Sequence, residues 1–284
     1  MNTFLLIAVI TANLFQSIFQ KHYNKRTKKR GTYIFNSIFT LSACILFVFT
    51  NNKGFHFERA LIPYILGFAV AFGSAILFTF LSIRQGSLSL TTLATSYSLI
   101  IPTLYGLLFL NENSNIFLYI GFALLVCSLF LLNSKNDGGK INLKWIIFVL
   151  IAFVGNGMCA TIQTAQQLRF GGQYKGEFMI SALIIVSVFF FMLSIIKEKA
   201  DLIPCLKSNL VFMVLTGIAN GLVNLFVMFL VSRKMPTSIM FPIISGGGIV
   251  LTTTVSVIIY KEKLSIKQYF GLLLGIASVI FMNL

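Results

Sequence analysis

Ten long apolar runs with few or no charges, separated by short polar patches, fill most of this 284-residue chain. A helix crosses a hydrocarbon core of ~30 Å with about 20 such residues, and each run approaches or exceeds that length. Charged residues make up 10% of the chain, where a soluble domain carries about 25%. The chain therefore reads as an all-α integral membrane protein lying almost wholly in the bilayer. The expected spans are 3–20, 32–50, 61–83, 88–110, 115–133, 144–167, 177–196, 209–232, 237–260 and 266–283. The first run has no basic residue before Lys21 and no small-residue cleavage site. It reads as a retained helix rather than a secretory signal.

The stretch "NENSNIFLYIGFALLVCSLFLLN" at 111–133 returns as "KEKLSIKQYFGLLLGIASVIFMN" at 261–283. Seven columns match at a fixed offset of 150 residues: Glu112/Glu262, Ile116/Ile266, Tyr119/Tyr269, Gly121/Gly271, Leu124/Leu274, Ser128/Ser278 and Asn133/Asn283. Each Glu follows an expected span, the fourth in one case and the ninth in the other. Five spans lie between them, and five is odd, so the two halves must enter the membrane in opposite directions. The polar stretch "NSKNDGGKIN" from Asn133 to Asn142 then divides the chain into a five-helix repeat at 1–133, a polar linker at 134–143 and a second five-helix repeat at 144–284. Two weaker echoes agree. At an offset of 143, Asn13 meets Asn156, Gln20 meets Gln163 and Arg26 meets Arg169, and "FLSIR" at 80–84 parallels "FLVSR" at 229–233. Inverted repeats are the architecture of secondary transporters, with the substrate site near the midplane between halves.

Charge supports the alternation. The loops after the odd-numbered spans, counted with the span ends beside them, hold 16 of the 22 Lys and Arg residues, six of them in "KHYNKRTKKR" at 21–30. Basic loops face the cytoplasm, which places both termini outside. The net charge of +15 is thus a feature of cytoplasmic loops, and nucleic acid is not an expected partner. The four cysteines stand singly, with no CxxC pair, so neither a disulfide framework nor a thiolate metal site is indicated.

Ten helices, a five-plus-five repeat and a Glu followed by Tyr119-Ile-Gly121 or Tyr269-Phe-Gly271 resemble the drug/metabolite transporter superfamily, and within it the EamA-type family. The Gly that usually precedes the Glu is absent here, where the chain reads "FLNEN" and "IYKEK". The resemblance spans the whole chain. It implies a multi-pass carrier of a bacterial cell membrane working by alternating access, with the lipid bilayer and a small-molecule substrate as its partners. It leaves the substrate and the direction of transport open.

Glu112 and Glu262 invite a proton-coupling role, but each precedes the next span, where a carboxylate is favoured by the helix dipole. Ser265 and Gln268 beside Glu262 form an S-x-x-Q capping box. No ionisable residue falls near the middle of any expected span, and both His22 and His56 fall in expected loops. Intramembrane charges mark proton relays and charged-substrate sites, so a neutral, zwitterionic or amphipathic substrate is expected. The interior holds amides instead. Asn13, Gln16 and Gln20 share a face of helix 1; Asn156, Gln163 and Gln167 share one on helix 6; Asn220 and Asn224 lie one turn apart on helix 8. An amide cannot face lipid without an unsatisfied polar group. A single one reads as interhelical glue, whereas amides at equivalent places in both halves point to a polar cavity.

Helix 9 carries "FPIISGGGIV", with Pro242, Ser245 and Gly246, Gly247 and Gly248. Small residues let helices approach closely; the alternative is a backbone that opens or flexes beside the substrate. Helix 4, its repeat partner, offers Thr95, Ser96, Tyr97 and Ser98. The expected substrate site comprises Asn13, Gln16, Tyr97, Asn156, Gln163 and Ser245, with Pro242 and the glycine triplet as flexing elements. No cofactor or metal is expected. An intramembrane enzyme would need a metal cluster, paired carboxylates or an activated nucleophile, and the sequence offers none. A channel would need a charged ring or a carbonyl filter. A lipid-moving or non-transporting protein of the same fold stays open beside the carrier.

Overall fold

The computed structural model describes all residues except 1, 28–29, 52–53, 86–94, 96, 113–115, 133–142, 261–264 and 282–284. The described residues form helices α1 (Asn2–Thr27), α2 (Thr32–Thr50), α3 (Ile62–Gln85), α4 (Ile100–Phe109), α5 (Ile116–Leu132), α6 (Leu143–Arg169), α7 (Lys175–Lys197), α8 (Lys199–Ser232), α9 (Thr237–Tyr260) and α10 (Ile266–Phe281). Short 3₁₀ turns precede α3 at Arg59–Leu61 and α4 at Tyr97–Leu99. No strand occurs among the described residues. Among the described residues six helices, α1, α2, α3, α6, α7 and α8, are long and apolar enough to cross a membrane. The chain is an all-helical protein of membrane-spanning type.

Two expected elements are corrected. Helix 8 begins at Lys199, ten residues before the expected 209. The added segment "KADLIPCLKS" is helical, with Cys205 buried and Ile203 and Lys207 exposed, so its charges stand on a helix and not in a loop. Helix 1 runs on to Thr27, carrying part of the basic loop on helical turns, and His22 lies on it. The expected span 88–110 falls partly outside the described residues; those described are Thr95, which is helical, the 3₁₀ turn Tyr97–Leu99 and α4.

The chain forms two compact units, each drawing on both sequence halves. The first comprises Met1–Val70 and Ala165–Arg233, the second Ala71–Thr164 and Lys234–Leu284. Compactness thus follows different boundaries from the sequence repeat, because helices of one half pack on helices of the other.

In the first unit α2 packs on both α7 and α8, and α1 lies along α8. Gly217 and Gly221 bring α8 against α2: a Cβ at Gly217 would stand 2.3 Å from the Phe39 carbonyl, and one at Gly221 would meet Ala43 and Leu46 at 3.3–3.4 Å. Such close approach lets dispersion hold helices together where no hydrophobic force acts between them. Across α2 and α7, Ser187 Oγ donates to the Ser37 carbonyl at 3.0 Å, and Cys44 Sγ donates to the Ile180 carbonyl at 3.7 Å. These bonds correspond at the 143-residue offset: 44 maps to 187 and 37 to 180. Phe35 and Phe178, and Phe47 and Phe190, are buried partners at the same offset.

In the second unit α5 packs on α10, and α9 packs on α4 and α10. Ser128 Oγ donates to the Gly271 carbonyl at 2.6 Å, and a Cβ at Gly275 would stand 2.8 Å from that hydroxyl. The 150-residue columns share environments: Ser128 and Ser278 are both fully buried, and Tyr119 and Tyr269 are each 53% exposed.

Candidate substrate site

The helix ends show how carboxylates are used. Glu198, just after α7, accepts hydrogen bonds from the backbone N–H groups of Thr32, Tyr33 and Ile34 at 2.8, 2.8 and 3.3 Å. It thereby caps α2, whose preceding Gly31 takes a left-handed φ of 63°. Glu112 does the same for α9, accepting from Thr237 and Ser238. The sequence placed Glu112 at the start of the next helix, α5. The carboxylate does serve a helix N-terminus, but that of α9. Glu262 lies outside the described residues.

The expected site residues divide between the two units. In the first, Asn13 and Gln16 stand half-buried on α1. Asn220 Nδ2 donates to Gln16 Oε1 at 3.4 Å, and Asn224 Nδ2 donates to Asn220 Oδ1 at 3.1 Å. Three amides thus form a chain from α1 into α8. Asn220 and Asn224 were legible as a pair one turn apart; their partner helix was not.

Further along α6, in the same unit, Gln166 and Gln167 are fully buried. Gln167 Nε2 donates to Gln166 Oε1, and Gln166 Nε2 donates to the Gln173 carbonyl at 3.2 Å. Gln167 Oε1 is left buried without a hydrogen-bond partner. A buried polar atom without a partner costs ~1–3 kcal/mol.

In the second unit α6 presents Gly155, Asn156 and Gly157 in sequence. A Cβ at Gly155 would stand 2.8 Å from the Ala71 carbonyl on α3, and one at Gly157 would stand 2.4 Å from Ile101 Cδ1 on α4. Successive helical residues point 100° apart, so the two glycines admit α3 and α4 on either side and the half-buried Asn156 faces the wedge between them. Two turns on, Gln163 and Thr164 are buried, and the Thr164 hydroxyl has no hydrogen-bond partner.

Tyr97 sits in the 3₁₀ turn before α4, and its hydroxyl donates to the Val126 carbonyl of α5 at 3.2 Å. The hydroxyl is therefore engaged in packing, and its ring is the part left to meet a ligand. Thr95, ahead of that turn, is helical, and Ser96 lies outside the described residues. On α9, Pro242 and Gly246 are buried, while Ser245, Gly247 and Gly248 are half-buried. The helix runs unbroken from Thr237 to Tyr260 through Pro242 and the glycine triplet. A Cβ at Gly248 would meet nothing within 4 Å, which leaves a bare strip of backbone there. Among the described residues no three His, Cys, Asp or Glu side chains gather in a metal-binding group.

Comparison with known proteins adds the fold alone. No family model matches the chain, and no curated protein matches it. Among solved structures, one titled "Crystal structure of protein" superposes with a TM-score of 0.78 at 10% identity, covering 99% of this chain and 95% of its own. The architecture is thus a recurring whole-chain fold.

Proposed function

We propose that this protein is a membrane carrier working by alternating access, built of two inverted five-helix repeats and related to the drug/metabolite transporter superfamily. Its substrate is a small polar neutral, zwitterionic or amphipathic molecule. The observation that carries this reading is polar capacity buried without charge. The Gln16–Asn220–Asn224 chain, the orphaned Gln167 Oε1 and Thr164 Oγ1, and the half-buried Asn156 all lie on helices long and apolar enough to span lipid. Bonded amides also serve as glue between helices, but Gln167 Oε1 and Thr164 Oγ1, buried without partners, cost free energy unless a ligand or water completes them.

The repeat is supported by corresponding bonds at the two offsets, Ser187–Ser37 with Cys44–Ile180, and by the equal exposure of Tyr119 and Tyr269. An odd number of helices separates the members of each pair, as inversion requires.

Counterflow in proteoliposomes tests the function. A thermal-shift screen of metabolites on the purified protein finds ligands, and labelled ligand is then exchanged against an internal pool. A carrier accumulates label transiently above its equilibrium level. Ligands that bind yet show no overshoot exclude a carrier and favour a binding or lipid-moving protein.

A further inference from the structure

Gln166 and Gln167 of α6 form a chain of amides whose direction is fixed. The Gln173 carbonyl can only accept, so the Gln166 atom that meets it at 3.2 Å is Nε2. Gln166 Oε1 is thereby turned to Gln167, which donates to it through its own Nε2. Turning either amide over would set oxygen against oxygen. The free end of the chain is therefore an acceptor, Gln167 Oε1, on a residue 1% exposed and with no partner among the described residues. Only a hydrogen-bond donor can complete it.

An aromatic ring is directed at the same place. At 100° per residue, Phe170 projects about 40° from Gln166 and about 60° from Gln167, between the two. Helical side chains lean toward the N-terminus, so Phe170 is aimed back over the turn that holds both amides. Its N–H bonds to the Gln166 carbonyl at 3.1 Å, which keeps it on that turn. Tyr64 of α3 and Tyr174 meet Phe170 edge-on, with ring centroids 5.9 and 5.6 Å from its own. All these residues belong to the first unit. The nearby cations are placed elsewhere: Lys175 Nζ donates to the Gly172 carbonyl and lies 5.2 Å from the Phe229 ring, and Arg169 is exposed.

We propose that Gln167 Oε1 and the Phe170 ring receive the protonated amine of a substrate. This names a substrate class for the carrier proposed above and rests on that reading, because Gln167 Oε1 is closed to solvent here and a ligand reaches it only as the protein opens. An ammonium answers both groups. It brings N–H donors to the oxygen, and such charge-assisted bonds are roughly twice as strong as neutral ones. Each amide of the chain polarises the next, which makes the terminal oxygen a better acceptor. Residues three apart on a helix stand about 5–6 Å from each other, within the ~6 Å over which a ring face attracts a cation. A hydroxyl would use the oxygen and not the ring, and a quaternary ammonium the ring and not the oxygen.

Isothermal titration of the full chain in detergent at neutral pH tests this with benzylamine, benzyl alcohol and benzyltrimethylammonium as probes. Benzylamine should bind about tenfold or more tighter than either of the others, the worth of one bond to a buried acceptor. Gln167→Met should lower its affinity about tenfold to a hundredfold and leave benzyltrimethylammonium as it was. Phe170→Leu should weaken both cations and spare the alcohol. Benzyl alcohol or benzyltrimethylammonium binding as tightly as benzylamine overturns the proposal. So does the absence of benzylamine binding, or a Gln167→Met protein that binds benzylamine like the parent. The comparison of probes uses the parent protein and so decides even where a variant does not fold. Counterflow of a ligand from the thermal-shift screen is read separately. Overshoot without a preference for benzylamine removes the amine subsite and leaves the carrier, whereas that preference without overshoot removes the carrier and leaves an amine-binding site.

Discussion

Glu112 grips Thr237 twice, its Oε1 accepting the backbone N–H at 2.7 Å and the hydroxyl at 3.0 Å, while Oε2 takes the N–H of Ser238 at 2.8 Å. The turn that places it is tight. Asn111 adopts a positive φ of 49°, and the N–H groups of Leu110 and Glu112 both reach back to the Gly106 carbonyl. A carboxylate from the first half of the chain thus anchors a helix of the second.

Removing that charge should cost stability. Glu112→Gln replaces a charge-assisted acceptor with a neutral one that also carries donors, and should destabilise by about 1–2 kcal/mol. Gly106→Ala should do similar damage, since its Cβ would stand 2.3 Å from Thr237 Oγ1 and 2.5 Å from Glu112 Oε2. Thermal unfolding in detergent measures both. A Glu112→Gln protein melting with the parent would disprove the cap's role. On the carrier reading, its uptake should keep the parent's pH response per folded molecule.

The two glycines of α8 make a graded pair. Gly217→Ala drives a methyl into the backbone of α2, 2.3 Å from the Phe39 carbonyl, and should cost about 1–3 kcal/mol as overpacking does. Gly221→Ala meets its neighbours at 3.3 Å or more and should cost well under half as much. Melting temperatures in the reverse order would mean that α2 and α8 do not touch as described.

Binding and packing separate at Asn156 and Tyr97. Asn156→Ala should weaken ligand binding about tenfold to a hundredfold, the effect of one lost buried partner, with little change in melting temperature. Tyr97→Phe forfeits the bond to the Val126 carbonyl and should lose about 0.5–1.5 kcal/mol of stability while keeping its ring. Isothermal titration with any ligand from the thermal screen, run beside unfolding, distinguishes them. Parallel loss of affinity and stability at Asn156 would make that amide glue between helices.

Orientation follows from the basic loops. An impermeant thiol reagent applied to intact cells should label Gln173→Cys, between α6 and α7, and spare Asn24→Cys near the end of α1. Labelling of Asn24→Cys with Gln173→Cys protected would invert the protein.

The membrane-helical character was fully legible, because a run of apolar residues has few physical alternatives. Helix ends were less so. Lys199 to Ser208 carries charges that read as a loop, yet the burial of Cys205 against Gly31 makes it the start of α8. Capping residues were recognisable by type but not by target: Glu112 reads as a helix N-terminal carboxylate, and only the packing of α4 on α9 decides which helix it serves. Of the site, the amides on α1, α6 and α8 stand out as costly in lipid. Which of them meet depends on helix neighbours that no spacing encodes, and so Asn220 was not assigned to Gln16. The glycines of α9 show the opposite limit, since a poor local helix former is held helical by its surroundings.

The length of α8 has a mechanical outcome. Its 34 residues rise about 51 Å against a hydrocarbon core of ~30 Å. In the overhang the N–H groups of Asp201 and Leu202 go to the Glu198 carbonyl, and Pro204 has none to place. Later residues bond within the helix, so α8 can tilt with little bare backbone presented to lipid. The resistance comes from side chains such as Lys207, which must keep its head in water. Gly217 and Gly221 lock α8 to α2, and Gln16 ties it to α1, so these helices cannot answer a thinner or thicker bilayer separately. Membrane thickness acts on the three as one piston, and the Gln16–Asn220 bond rides with it.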